Sequence, residues 1–349
     1  MAKEPSVAWP RVLERSLCYA FGCWEVLDAR RPRPVDVVLG RSDGLGSSLF
    51  APVAFPGAPV VQMFDGYFDP RRREPGDEAE SRPEGYSHWR AAANAIDLVE
   101  LENGVTPWTP TEYQRLLFPA EYRDDFLVLH DGVETRGLPP RNRDRLTIGG
   151  RTIPNGARVV TFMARSLDRL RGFDRFVAVV ARLQREFPDL IAVALGDTAV
   201  VHPHDTAHFG LDYPALLLAQ TPVPDPSRLW MPGTLPRADV QRLLSRSDLH
   251  VYASRPHPAS RSMVEAMAAG CLVMAFDSEA AREFVEPGIT GFIVNETDIA
   301  NVSVSLLRDL DAHQPLGLAA KERTKRLYAR DVVLPRLASL FDGLSARGG

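Results

Sequence analysis

The stretch ARVVTFMARSLDRLRGFDRFVAVVARLQREFPDLIAVALGD, Ala157 to Asp197, decides the fold class. It opens with an apolar strand-like run, ARVVTFMA, and crosses a polar loop. A helical pattern follows in which Phe173, Phe176, Val177, Val180, Leu183 and Phe187 share one face. Pro188 stops that helix, and LIAVALGD supplies a second buried strand. Apolar strands alternating with amphipathic helices are the signature of a parallel α/β sheet.

The alternation continues downstream. RLWMPG reads as a short strand, ADVQRLLSRS as a helix and LHVYAS as a strand; a helix around Glu265 ends at Gly270, and CLVMAFD and EPGITGFIV supply further strands. Upstream, RPVDVVLG and APVVQMFD read as strands and SHWRAAANAIDLVELE as a helix. TPTEYQRLLF reads as a short helix capped by Thr109 or Thr111, and DFLVLH as another strand. Ahead of them Val12, Leu13, Leu17, Ala20, Trp24 and Leu27 are spaced like one helix face. A Gly-, Pro- and Arg-rich stretch between Glu134 and Ala157 marks a domain boundary. The expected domains are 1–150, 151–325 and a C-terminal helix over 326–349 that packs back toward the first domain.

With 349 residues, 45% apolar and 25% charged, the chain has room for two soluble domains with substantial cores. A formal net charge of -4 gives no electrostatic ground for nucleic-acid binding. The triplet Arg71, Arg72, Arg73 reads as a solvated loop or as a local contact with a membrane or partner. Cys18, Cys23 and Cys271 form no CxxC pair and no disulfide framework, which suits a reducing compartment. The opening MAKEPSVAWPRVLERS lacks the apolar core of a signal peptide, and no run has the apolar length of a bilayer span. These features predict a cytoplasmic protein.

In a parallel α/β sheet, ligands collect at the carboxyl ends of the strands, where loops and helix N-termini converge. Two loops stand out there. In ARSLDRLRGF, Arg165 follows a strand and Arg171 and Gly172 precede a helix. Two guanidiniums beside a helix start suit a diphosphate, the alternative being that both are solvated. In SRPHPASRSMVEAMAAG, Glu265 lies in the first turns of a helix, among apolar and small neighbours. Its carboxylate either complements the helix dipole or accepts two hydrogen bonds from a ribose diol.

Together, FMARSLDRLRGFDRF, LWMPGTLPRADVQRLLSRSDLHVYAS, SMVEAMAAGCLVMAFDSEAAREFVEPGITGFIV and VVLPRLASL resemble the donor-binding half of the retaining glycosyltransferases of family 4. The likeness runs from Arg158 to Leu340 and extends more weakly back to VDVVLGRSDGLGSSLF. It implies an α/β, GT-B protein with two Rossmann-like domains facing a cleft, the N-terminal one incomplete. It also implies transfer of a sugar, with retention, from a nucleotide-diphosphate donor to a saccharide or related acceptor. On this resemblance Arg165, Arg171 and Gly172 hold the donor diphosphate and Glu265 the ribose. Glu283 matches the acidic residue near the sugar pocket, and His257 stands where the family carries a glutamate eight positions before the ribose glutamate. A histidine there can hydrogen-bond but is not a carboxylate acceptor; the plain loop reading stays open. MAFDSEAARE replaces a Gly-rich family loop. The alternative function is a catalytically impaired homologue acting as a nucleotide-sugar-binding or partner subunit. No cofactor or metal is implied.

Other constellations are weaker. His202, His204, Asp205 and His208 lie within seven residues but complete no metal motif. RSDGLGSSLF lacks a full GxGxxG fingerprint, so its glycines read as turn formers. Asp65 and Tyr67 follow a strand and could touch an acceptor or be ordinary strand-end polar residues. Trp89 and Trp108 could stack on a sugar or serve packing. One or two strand and helix units are expected to be missing ahead of VDVVLG. That loss would leave an edge strand for a second copy or a partner subunit to cover. On that reading the chain alone binds donor but transfers sugar poorly.

Overall fold

The structure, a computed structural model, describes residues 10–30, 35–42, 45–69, 86–198, 212–255 and 261–348. The chain divides into two compact units, Met1–Asp131 with Asp331–Gly349, and Gly132–Arg330.

The first unit runs through α1 (Pro10–Asp28), β1 (Val38–Ser42), α2 (Ala51–Ala54), β2 (Val60–Phe64), α3 (Tyr86–Glu102), β3 (Thr106–Thr109), α4 (Glu112–Leu117) and β4 (Leu127–Val128). Its sheet has the order β1-β2-β3-β4, and Val38 pairs with Val60 and Val61 with Thr106, all in parallel. Every residue of β2 is buried, as expected of a parallel strand covered on both faces. Val60 and Phe64 pack with Phe118 and Phe126, whereas the alternating Val61 and Met63 pack with Trp108, Leu129 and, from the C-terminal helix Arg330–Gly348, Val333, Leu337, Leu340 and Phe341.

Three local expectations are refined here. Thr111, not Thr109, caps α4 by accepting the Gln114 N–H at 3.1 Å. DFLVLH yields only the two-residue β4, because Ala120–Asp125 winds as a 3-10 turn. In α1, Ala20 is buried against Leu49 and Ile96, but Leu17 is 45% exposed. The buried face of α1 includes Ser16 and Ala20, and Leu17 sits to its side.

The second unit contains β5 (Leu146–Ile148), β6 (Arg151–Ile153), β7 (Val159–Ser166), α5 (Phe173–Glu186), β8 (Ile191–Asp197), α6 (Tyr213–Gln220), β9 (Leu229–Gly233), α7 (Arg237–Arg246), β10 (Leu249–Tyr252), α8 (Arg261–Ala268), β11 (Leu272–Phe276), α9 (Glu279–Phe284), β12 (Phe292–Val294), α10 (Ile299–Arg308) and α11 (Leu310–Leu327). Its parallel sheet has the order β12-β11-β10-β7-β8-β9. The chain therefore starts in the middle at β7, builds outward through β8 and β9, and returns to lay β10 on the other side of β7. That reversal is a topological switch point, where α/β sheets open a crevice at their carboxyl ends.

This unit begins at Gly132, upstream of the compositional boundary, because the segment before β7 is tied to it. The β5 and β6 hairpin packs Leu146, Ile148 and Ile153 with Trp230 and Leu243. The buried Arg246 guanidinium donates to the carbonyls of Asp144 at 3.0 Å and Ala157 at 2.6 Å.

Candidate functional site

At the switch point the loop after β7 is built around a buried carboxylate. Asp168 is fully buried; it accepts the Ser166 hydroxyl and, at 2.8 Å, the Arg171 backbone N–H. Gly172 follows with φ of 80° and caps α5. A Cβ on it would lie 1.9 Å from the Ala253 carbonyl oxygen, so only glycine allows the loop after β7 to meet the end of β10 this closely. The register of β7 against β8 shifts between Met163 and Ser166, and irregularities of this kind re-aim strand-end side chains. Arg165 lies inside that shift and is exposed.

Three arginines meet this end of the sheet in two different ways. Arg255 is held by both oxygens of Asp174, at 3.1 and 2.8 Å, and also donates to the Arg169 carbonyl. Arg175 donates to Glu296 at 2.8 and 2.9 Å and to the Ala253 carbonyl at 3.1 Å, and its guanidinium lies 3.8 Å above the Phe276 ring. It thus links the ends of β10, β11 and β12. Arg171, by contrast, is half buried and its guanidinium donates to no acceptor among the described residues, its Nε being shielded from solvent as that of Arg255 also is. Its positive charge reaches Tyr252 at the end of β10, opposing the upward push that burial exerts on that phenol.

Glu265 sits in the middle of α8, one-quarter exposed, with Arg237 at the start of α7 3.6 Å away. Glu283 lies in the last turn of α9, where its negative charge adds to the burial that raises the Tyr328 phenol. The structure therefore places Arg165 within the last residues of β7, not after the strand, puts Arg171 and Gly172 in the loop that follows, and sets Glu265 on the helix that follows β10. His257 falls outside the described residues, as do His202, His204, Asp205, His208 and Arg71 to Arg73.

The model of the glycosyl transferases group 1 family matches residues 148–323, just over half of the chain, and that of the glycosyl transferase family 4 group matches residues 3–138. The chain belongs to the group 1 glycosyl transferases. Alpha-maltose-1-phosphate synthase of Mycolicibacterium smegmatis is 26% identical over 240 residues, covering 66% of this chain and 59% of that protein. Spore coat protein SA of Bacillus subtilis is 23% identical over 244 residues, covering 64% and 60%. The match thus spans about three fifths of the length of these curated relatives. Among solved structures, Anabaena HepE in complex with UDP-glucose superposes with a TM-score of 0.69 at 15% identity, over 92% of this chain and 82% of that one. Sucrose-phosphate synthase from Thermosynechococcus elongatus gives 0.69 at 16% identity, over 93% and 77%. At such identities the likeness is one of fold: this glycosyl transferase has the GT-B architecture of two Rossmann-like units.

In the first unit of the transferase, the carboxyl ends of β1 and β2 bring Arg41 and Asp65 together at 2.7 Å, and the Asp65 carbonyl accepts from Gln114 at 2.8 Å. Tyr67 packs its ring against Phe118, and burial raises its phenol pKa. Trp108 is a core residue of β3 whose Nε1–H donates to the Leu129 carbonyl at 2.6 Å, which settles it as packing. The side chain of Trp89 lies outside the described set. Gly46, with φ of 69°, is a turn former as expected.

Asp168, Arg175, Arg237 and Arg255 were not singled out from the sequence. A signal existed only for Asp168, since an aspartate three residues before a backbone N–H commonly accepts from it. Partners of the arginines come from helices and turns distant in sequence, so local spacing carries no trace of them. Among the described residues no helix is long and apolar enough to cross a membrane.

Proposed function

We propose that this chain transfers a sugar from a nucleoside-diphosphate donor to a carbohydrate or related acceptor, with retention at the anomeric carbon. The observation that carries the reading is Arg171, a half-buried guanidinium that donates to no acceptor among the described residues, its Nε shielded from solvent, at the switch point of a parallel sheet. A buried donor without an acceptor is costly, and a ligand oxygen would remove that cost. Family membership supplies the reaction class.

In this reading Arg171, Arg165 and the start of α5 face the donor diphosphate. As the bond from the anomeric carbon to the departing oxygen breaks, charge gathers on the diphosphate, and fixed guanidiniums stabilise it without reorganising. Glu265 accepts from the ribose diol, and Glu283 and His257 attend the transferred sugar. Asp65 and Tyr67 lie on the acceptor side. No metal or cofactor enters the scheme, and the reaction runs in the cytoplasm. UDP recurs in complexes of the structural relatives, HepE with UDP-glucose and Staphylococcus aureus TarM with UDP, so a UDP-sugar is the first donor to test.

Calorimetric titration with UDP, GDP and ADP, followed by product analysis with the matching sugars, tests the proposal. The expected result is binding of one nucleoside diphosphate in the micromolar range or tighter and a product with the donor's anomeric configuration. Binding of none of the three, or an inverted product, would overturn it.

A further inference from the structure

Arg237 opens α7 and sits across from Glu265, with Nη1 3.6 Å from Oε1. The separation is beyond a normal hydrogen bond, so the guanidinium acts on the carboxylate by charge. The segment that delivers Arg237 is braced. Gly149, in the tight turn between β5 and β6, has φ of 54°, and a Cβ there would lie 3.2 Å from Pro232. Arg151 of the same hairpin stacks 4.6 Å over the Trp230 ring and donates to the Ser227 carbonyl at 2.8 Å. Leu235 and Val240 pack against the hairpin core. Pro236, at the cap of α7, further restricts the backbone just before Arg237.

We infer that Arg237 is a positioning residue for the donor nucleoside, holding the Glu265 carboxylate aimed at the ribose diol. The inference rests on the donor reading proposed above. A carboxylate accepts two hydroxyl hydrogen bonds well only when held still, and an adjacent guanidinium serves that end. About half of the Arg237 side chain is exposed, so it is not needed to fill the core.

The test is a double-mutant cycle read by calorimetry with three probes: UDP, uridine and inorganic pyrophosphate. Arg237→Ala is expected to weaken uridine and UDP by up to about fivefold, the upper end for a partly exposed ion pair. Pyrophosphate affinity stays unchanged. In a Glu265→Gln background the same substitution has an effect below about twofold, because its target is gone. Arg237→Lys, which keeps the charge, restores uridine affinity to within about twofold of the original. An undiminished loss in the Glu265→Gln background, a matching loss for pyrophosphate, or no loss at all would each overturn the inference. Where GDP or ADP binds in place of UDP, that nucleotide and its nucleoside replace the uridine probes; a wild-type chain that binds none of the three nucleoside diphosphates would instead sink the donor reading itself.

Discussion

At the amino ends of β7 and β10 Arg246 is 2% exposed and donates through Nε and Nη2 to three carbonyls, although its buried Nη1 finds no hydrogen-bond partner; at the carboxyl ends of the same two strands the Arg171 guanidinium donates to none among the described residues. Arg246 gives its protons to the carbonyls of Asp144, Pro154 and Ala157, with Asp248 3.6 Å from its Nη1. Asp248 accepts the Val159 N–H at 2.8 Å and faces Arg143 at 3.4 Å. Nearby His250 is wholly buried, and desolvation depresses its pKa to about 3, so it stays neutral. Arginine at one end of the sheet closes the fold; at the other it is left open to a ligand. The difference follows from connectivity, since the amino ends receive the chain segment 139–157 and the carboxyl ends receive short loops.

Arg246→Met should have the largest effect on stability. Removing it leaves Asp248 and three carbonyls buried, and a loss of about 3–5 kcal/mol is expected for the second unit, read from its denaturant midpoint. A loss under about 1 kcal/mol would put Arg246 in the same class as Arg171 and dissolve the contrast.

Gly172→Ala should follow closely. A Cβ 1.9 Å from the Ala253 oxygen, at φ of 80°, forces the loop after β7 away from β10. Strain and overpacking together predict a cost of about 3 kcal/mol, with weakened nucleotide binding. Unaltered nucleotide affinity would show that the loop does not shape the ligand end.

Arg171→Ala reverses the pattern. Stability should change little, while nucleoside-diphosphate affinity falls by about 1.5–3 kcal/mol and nucleoside affinity is almost unchanged. Equal losses for the two ligands would remove the diphosphate assignment from this arginine.

The smallest effect belongs to the Arg41 and Asp65 pair in the first unit, whose side chains are 58% and 27% exposed. Asp65→Asn should shift stability by less than about 1 kcal/mol, because water and ions already screen the pair. With Asp65 on the acceptor side, the change should appear as a raised KM for acceptor at unchanged donor affinity. A raised KM for donor instead would argue against that placement.

Sequence by itself determined the alternation of strands and helices, because each buried strand and each helix face writes its period into neighbouring residues. The helix face from Phe173 to Phe187, the ends at Pro188 and Gly270, and the cluster of Arg165, Arg171 and Gly172 were all readable this way. Tertiary structure alone decided which arginines are engaged. Arg255 and Arg171 look equivalent as loop residues near a helix start, and each has a buried Nε without a partner, yet Asp174 holds the Nη atoms of one while the other donates to no acceptor among the described residues. It also placed Gly132 as the start of the second unit and set Arg237 against Glu265, residues 28 positions apart that meet because α7 and α8 follow different strands. Hydrophobic periodicity is local, but hydrogen-bond satisfaction is a property of the packed chain, and only the packed chain shows which donors still lack an acceptor.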